Sequence, residues 1–202
     1  NLQQEGALVN WKNNPDGTRS PYEINVTYLD ALSLQDSSDE ERIARFLLAH
    51  AVLLSFPGVP AVYIQSILGS RNDYEGVERL GYNRAINRKK YTAGQLGSEL
   101  NNKKSIRYQI YSRLSEFIAI RRGERAFHPD SQAAFDAVGK QILKIIRVAE
   151  NGERITALFN FSNKMQTVYE QTLSGKELLS GQDISGTELI LNPWQVMWIK
   201  EN

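Results

Sequence analysis

Chemistry in this chain is signalled first by the stretch from Phe56 to Arg88. A proline-bracketed turn (Pro57, Gly58, Val59, Pro60) leads into Ala61, Val62, Tyr63 and Ile64, and a polar loop then ends in Asn83, Arg84, Ala85, Ile86, Asn87 and Arg88. Arg84 offers a planar, permanently charged fork of donors. One charge-assisted hydrogen bond from it is worth about 1.5 to 3 kcal/mol, enough to position a ligand and far short of an enzymatic rate enhancement. No paired carboxylates in a recognisable catalytic arrangement accompany the segment, and Asp73, Glu75 and Glu78 read as solvated loop charges. His50 falls on an apolar helical stripe and His128 precedes a proline, so both read as core or junction packing rather than metal ligands or triad members. With no cysteine, disulfides, thiolate metal sites and cysteine nucleophiles are excluded. Neither a metal nor a cofactor is expected.

The elements that must hold these residues are legible in outline. At 202 residues, 41% hydrophobic and 23% charged, the chain is long enough for one ordinary core or two small ones. A formal net charge of +1 lacks the electrostatic footprint of a nucleic-acid binder, and no apolar run approaches the roughly 20 residues that cross a bilayer. Arg121, Arg122 and Arg125 are expected to close a helix C-terminus. Gly6 to Pro21 is polar and turn-rich, with Asn14, Pro15, Asp16 and Gly17 as a tight turn, and predicts a surface loop. Ser38 with Glu41 forms a capping-box signature ahead of Ile43, Phe46, Leu47, His50, Ala51 and Leu54 at helical spacing, and that helix must stop near Ser55 because of Pro57. Pro57 to Ile64 predicts a strand. Ile106, Ile110, Leu114, Phe117 and Ile118 predict a second helix, with Gly123 as its C-terminal cap.

Beyond Gly123 short strands follow one another. Gln141 to Val148 and Arg154 to Phe161 flank Asn151-Gly152, a strong hairpin signal because both positions tolerate positive φ. Ile155, Ala157, Phe159 and Phe161 alternate with Thr156, Leu158 and Asn160, so one strand face is expected to be buried more than the other. Trp194, Val196 and Trp198 alternate in a closing strand after Pro193, and the two tryptophans read as core rather than sugar-stacking residues. The sum is a small antiparallel β-sandwich.

These residues resemble a known family. Pro57 to Ile64 is similar to the last strand of the catalytic (β/α)8 barrel of glycoside hydrolase family 13, the α-amylase family. Ser20, Pro21, Tyr22, Glu23, Ile24, Asn25, Val26, Thr27 and Tyr28, with Gly69, Ser70, Arg71, Asn72, Asp73 and the Asn83 to Arg88 run, resemble its sucrose phosphorylase branch, whose enzymes use sucrose, sucrose 6'-phosphate or glucosylglycerate. The resemblance covers most of residues 15 to 125. It implies an α/β then all-β fold, with residues 1–125 the C-terminal portion of a (β/α)8 barrel and residues 126–202 a β-sandwich. It implies equally that the chain, which begins with Asn1 rather than Met, is the C-terminal piece of a longer enzyme.

Chemistry in that branch is a double displacement at a glucosyl carbon. A carboxylate attacks, a carboxylic acid protonates the leaving oxygen, and phosphate takes the glucosyl group with retention. The family's catalytic acids precede this chain, so no catalytic residue is expected here and the chain alone is expected to be inactive. Arg84 matches the arginine that pairs with an acid from an early barrel loop and hydrogen-bonds the glucosyl unit. Tyr22 matches a tyrosine on a mobile loop. Glu23 stands where plain sucrose enzymes carry Gln, which points to another acceptor such as glycerate or a phosphorylated fructose, although an ionised carboxylate repels phosphate. Arg19, Arg71, Asn72 and Asp73 offer an acceptor or phosphate loop, with loop scaffolding as the alternative. The implied partners are an α-glucoside, inorganic phosphate and the missing N-terminal part of the barrel, in a cytoplasmic setting. A non-catalytic carbohydrate-binding or assembly module is the alternative, against which Tyr22 and Arg84 argue.

Overall fold

The structure, a computed structural model, describes residues 2–202. The described residues form two compact units, residues 2–46 with 62–112 and residues 47–61 with 113–202.

In the first unit, β1 (Leu8–Asn13) and β2 (Arg19–Asn25) pair as an antiparallel hairpin with Leu8 opposite Asn25 and Asn10 opposite Glu23. Much of the segment expected to be an irregular loop is therefore strand. Its turn is closed by local bonds: Asn14 N–H donates to the Thr18 carbonyl at 2.8 Å, and Asp16 Oδ1 accepts from the Thr18 N–H at 3.0 Å. Polar composition concealed the alternation of Val9 and Trp11 with Asn10 and Lys12.

Helices α1 (Tyr28–Ala31) and α2 (Asp39–Ser55) follow. Ser38 Oγ accepts from the Glu41 N–H at 3.2 Å, and Asp39, Glu40 and Glu41 crowd the positive end of α2. The helix stops at Ser55, as Pro57 requires. Short helices α3 (Ile64–Ile67) and α4 (Tyr74–Leu80) precede a 3-10 turn at Asn83–Asn87, and α5 (Ala93–Asn101) and α6 (Ile106–Gly123) complete the helical part. Gly123 belongs to α6 with no left-handed φ, so it is not the cap its position suggested.

The strand expected over Pro57–Ile64 is not formed. Residues 59–63 carry no regular secondary structure, and among the described residues no strand pairs with them. A barrel strand exists only through a neighbour on each side that takes its N–H and C=O groups. Val59 is accordingly 85% exposed, and Tyr63 and Ile64 are more than half exposed.

The second unit is built on a six-stranded antiparallel sheet of β3 (Gln132–Val138), β4 (Ile142–Val148), β5 (Arg154–Asn160), β6 (Gln166–Glu177), β7 (Asp183–Leu191) and β8 (Val196–Glu201). The order is β3-β4-β5-β8-β6-β7. The sheet curls, so that Ile142, Leu158, Val168, Leu189, Met197 and Ile199 share one core. The curl passes through Gly175, where β6 meets β8 so closely that a Cβ would stand 2.0 Å from the Lys200 carbonyl oxygen. Residues 155–160 of β5 are buried on both faces, not on one as alternation suggested. One face lines the curled core, and on the other Trp198 packs against Phe117 of α6 and against Phe127, with ring centroids 5.4 and 4.9 Å apart. Trp198 is thus core. Trp194 lies before the closing strand, in a turn with φ +57°.

Two buried arginines anchor this unit. Arg121 donates to the carbonyls of Leu54 and Gly58, taking up acceptors left open at the end of α2. Arg121 and Arg122 do stand in the last turn of α6, as expected, and Arg121 in addition closes the end of α2; Arg125 lies beyond, in a 3-10 turn. Arg147, fully buried on β4, donates to the carbonyls of Ser55 at 2.9 Å, His128 at 2.7 Å and Ser131 at 3.3 Å. Burial, with the Arg121 charge adding to it, pushes its guanidinium below the ordinary value, but an arginine this strongly basic stays charged. Arg147→Ala strands these acceptors and is expected to cost about 3 to 5 kcal/mol in chemical denaturation. By contrast, Arg113→Ala on the exposed Arg113–Glu116 pair should cost under about 0.5 kcal/mol.

Candidate sugar-binding site

Arg84 sits on the 3-10 turn, which is fixed at both ends. Ala85 and Ile86 are buried, the Ile86 carbonyl accepts from the Asp73 N–H at 2.8 Å, and Asn87 Nδ2 donates to the Val26 carbonyl at 3.5 Å. The arginine itself stays exposed. Its Nε donates to both carboxylate oxygens of Glu23 on β2, at 3.0 and 2.9 Å. Asn10, opposite Glu23 in the hairpin, donates to Glu23 Oε2 at 3.1 Å, and Asn83 Nδ2 donates to Asn10 Oδ1 at 2.7 Å. The four side chains close a ring, since Asn83 and Arg84 are adjacent in the chain.

The electrostatics match the geometry. The Arg84 hydrogen bond, supported by Asn10 and the charges of Arg84 and Arg88 against a partial desolvation, holds the Glu23 carboxyl below the ordinary glutamate range. Reciprocally, the Glu23 hydrogen bond and charge raise Arg84 further above its ordinary value, with Tyr22 adding a smaller contribution. Tyr22 is 64% exposed beside this pair. The structure therefore brings Arg84, Glu23 and Tyr22 together.

The other expected residues are engaged with the protein. Arg71 Nε donates to Asp30 Oδ1, and the Asn72 N–H donates to Asp30 Oδ2 at 2.7 Å. Asp30 is buried at the start of α1 and also faces Arg42 at 3.5 Å and Thr27 Oγ1 at 3.2 Å. Asn72 Oδ1 accepts from the Thr27 N–H at 2.8 Å. Asp73 caps α4 by accepting from the Gly76 N–H at 3.2 Å, with Lys89 at 3.9 Å. Arg19 stands over the Trp11 ring at 6.0 Å, four residues from Glu23 along β2, or about 13 Å. Asn10 and Asp30 escaped the sequence reading; the hairpin register would have revealed the first.

Two cavities lie elsewhere. One of about 220 Å³ is lined by Thr27, Tyr28, Tyr63, Ser66, Ser70 and Asn87. A larger one of about 770 Å³ in the second unit is lined by Val59, Arg121, Arg125, Phe127, His128 and Glu150, and does not include Arg84. Among the described residues no group of three or more His, Cys, Asp and Glu side chains is placed to hold a metal, and no helix is long and apolar enough to cross a membrane.

No protein-family model matches the chain. It is 61% identical to a glucosylglycerate phosphorylase of Escherichia coli (strain K12) over 98% of its own length and 36% of that protein's. It is also 36% identical to a glucosylglycerate phosphorylase of Allomeiothermus silvanus, covering 97% of this chain and 34% of that one. A sucrose phosphorylase of Agrobacterium vitis is 30% identical over 76% of this chain and 29% of its own length. The chain thus spans about a third of the length of the curated relatives it matches. Among solved structures, a sucrose 6F-phosphate phosphorylase from Thermoanaerobacter thermosaccharolyticum superposes with TM-score 0.65 at 20% identity, over 92% of this chain and 34% of that chain. A pullulanase from Anoxybacillus sp. LM18-11 gives 0.67 at 14%, over 88% and 26%. The matches carry the expected fold class, the end of a (β/α)8 barrel followed by an antiparallel β-domain.

The Glu23 shift has a defined sign. A depressed carboxyl pKa means the pair is intact above the ordinary glutamate range and breaks only as pH falls through the lower folded value. A carbon-13 titration of the Glu23 carboxyl should give a midpoint below the ordinary glutamate value. Arg84→Ala should raise that midpoint; a Glu23 midpoint that ignores Arg84 would refute the pairing in solution.

Proposed function

We propose that this chain, related by sequence to the sucrose phosphorylase branch of glycoside hydrolase family 13, forms the C-terminal part of an α-glucoside phosphorylase in which Arg84 holds the glucosyl unit. The observation carrying this reading is the Arg84 geometry. Its Nε is taken by Glu23 and Tyr22 makes a weaker hydrogen bond with it, while the side chain stays 47% exposed, which leaves guanidinium donors for a sugar or an anion. In this reading residues 1–125 belong to the barrel and residues 126–202 form the appended β-domain. The exposed, unpaired segment at residues 59–63 is the eighth barrel strand, whose neighbours come from the remainder of the same barrel.

The reaction is retaining transfer. A carboxylate outside this chain displaces glycerate from the glucosyl carbon, an acid protonates the leaving oxygen, and inorganic phosphate then displaces the carboxylate to give α-glucose 1-phosphate. Glucosylglycerate is preferred as substrate over sucrose because the relatives at 61% and 36% identity carry that name. Arg84 binds, Glu23 and Tyr22 border the same place, and Arg71 on Asp30 fixes the loop beneath together with Asn72 and Asp73. The catalytic carboxylates lie outside this chain, which is inactive alone, and the working location is the cytoplasm.

The test is glucose 1-phosphate release from glucosylglycerate, sucrose or sucrose 6'-phosphate with phosphate, in this chain and in the longer protein. The chain alone should be silent and the longer protein active. Arg84→Ala in the latter should lower kcat/KM about 10- to 150-fold for every glucoside, the loss of one charge-assisted bond. Tyr22→Ala should alter the use of phosphate and acceptor more than glucosyl binding. Turnover by the isolated chain, or full activity of Arg84→Ala, would overturn the proposal.

A further inference from the structure

We infer that Glu23 is a positioning residue that acts through Arg84, the ring of Asn83, Asn10, Glu23 and Arg84 fixing which edge of the guanidinium faces a ligand. This rests on the reading of Arg84 as the glucosyl-binding residue. A guanidinium on a flexible stem can offer any of its edges. Here Nε is held by both oxygens of Glu23, at 3.0 and 2.9 Å, so the Nε edge of the guanidinium is fixed on the carboxylate and the opposite edge, formed by the terminal amino groups alone, faces away from it. Glu23 is held in turn: Asn10 Nδ2 donates to Oε2 at 3.1 Å, and Asn83 Nδ2 anchors Asn10 at 2.7 Å. Both asparagines are only partly exposed.

The strength of the pair rules out stability as its purpose. With the Glu23 side chain 30% and that of Arg84 47% exposed, it adds little to folding. Its effect is geometric, since it cuts the number of guanidinium orientations that binding would otherwise have to freeze. A carboxylate serves better here than an amide, which has a single acceptor oxygen and would leave Nε singly held. The glutamate is therefore explained without contact to glycerate or phosphate. The charged and titratable groups facing it are Arg84 and Arg88, with the Asn10 amide opposite and Tyr22 adjacent.

A double-mutant cycle in the longer protein tests this, with kcat/KM for glucosylglycerate phosphorolysis and thermal midpoints measured in parallel. Glu23→Ala is expected to lower kcat/KM about 10-fold while moving the midpoint by no more than about 2 °C. Glu23→Gln should recover part of the loss, and Asn10→Ala should show a smaller loss of the same kind. The decisive variant combines Glu23→Ala with Arg84→Ala, and it should be no worse than Arg84→Ala alone because Glu23 then has nothing to orient. Losses that multiply would show that Glu23 touches a substrate itself and would overturn the inference. A Glu23→Ala enzyme of full activity beside an impaired Arg84→Ala enzyme would overturn it while leaving the glucosyl role of Arg84 standing. If Arg84→Ala is fully active, both ideas fall.

Discussion

A buried carboxylate cannot be left without partners, and Asp30 is the one around which the candidate site is assembled. Its two oxygens take Arg71, the Asn72 N–H, Thr27 and Arg42. Removing one side of such a cluster leaves uncompensated charge at a typical cost of about 3 to 5 kcal/mol, which makes its geometry stiff. That stiffness propagates along the chain. Asn72 and Asp73 are fixed next to Arg71, Asp73 caps α4, and its N–H holds the Ile86 carbonyl of the turn that presents Arg84. Residues that sequence reasoning offered as a phosphate or acceptor loop thus have a scaffolding task in this structure, and Arg84 is left as the cation that scaffold presents.

Charge is used in two contrasting ways. Arg121 and Arg147 are buried and satisfied by carbonyls, several of them at or just beyond the end of α2, where backbone acceptors have no intrahelical donor. They act as caps. Arg84 meets a carboxylate in partial contact with solvent, where the same pairing adds little to stability and a great deal to direction. A binding site needs the second kind, because a guanidinium fully satisfied by its own protein has no donors to offer.

What the sequence revealed follows the range of the interactions involved. The α2 helix was legible because its signals are local: Ser38, the acidic first turn and Pro57 all lie within a few residues of its ends. The β4–β5 hairpin was legible from Asn151-Gly152, and Gly152 does adopt φ +87°. The β1–β2 hairpin was hidden by its polar residues, and the strand anticipated over residues 57–64 needs neighbours that no local pattern supplies. Arg84, Tyr22 and Glu23 were each picked out, but not that two of them touch. Glu23 and Arg84 are 61 residues apart in the chain, and their contact depends on a hairpin register and a turn anchored by Asp73. Asp30 was invisible for the same reason, since its partners Arg71 and Asn72 lie more than 40 residues away.

The central claim concerns one guanidinium, held by its Nε and offering its remaining nitrogens to a sugar. A crystal structure of the longer protein with glucosylglycerate bound tests it most directly. The account predicts the Arg84 terminal amino groups about 3 Å from hydroxyl oxygens of the glucosyl unit, with Nε still on the Glu23 carboxylate. A glucosyl unit bound out of reach of Arg84, or a Glu23 carboxylate turned away from Nε to contact the glycerate, would contradict it.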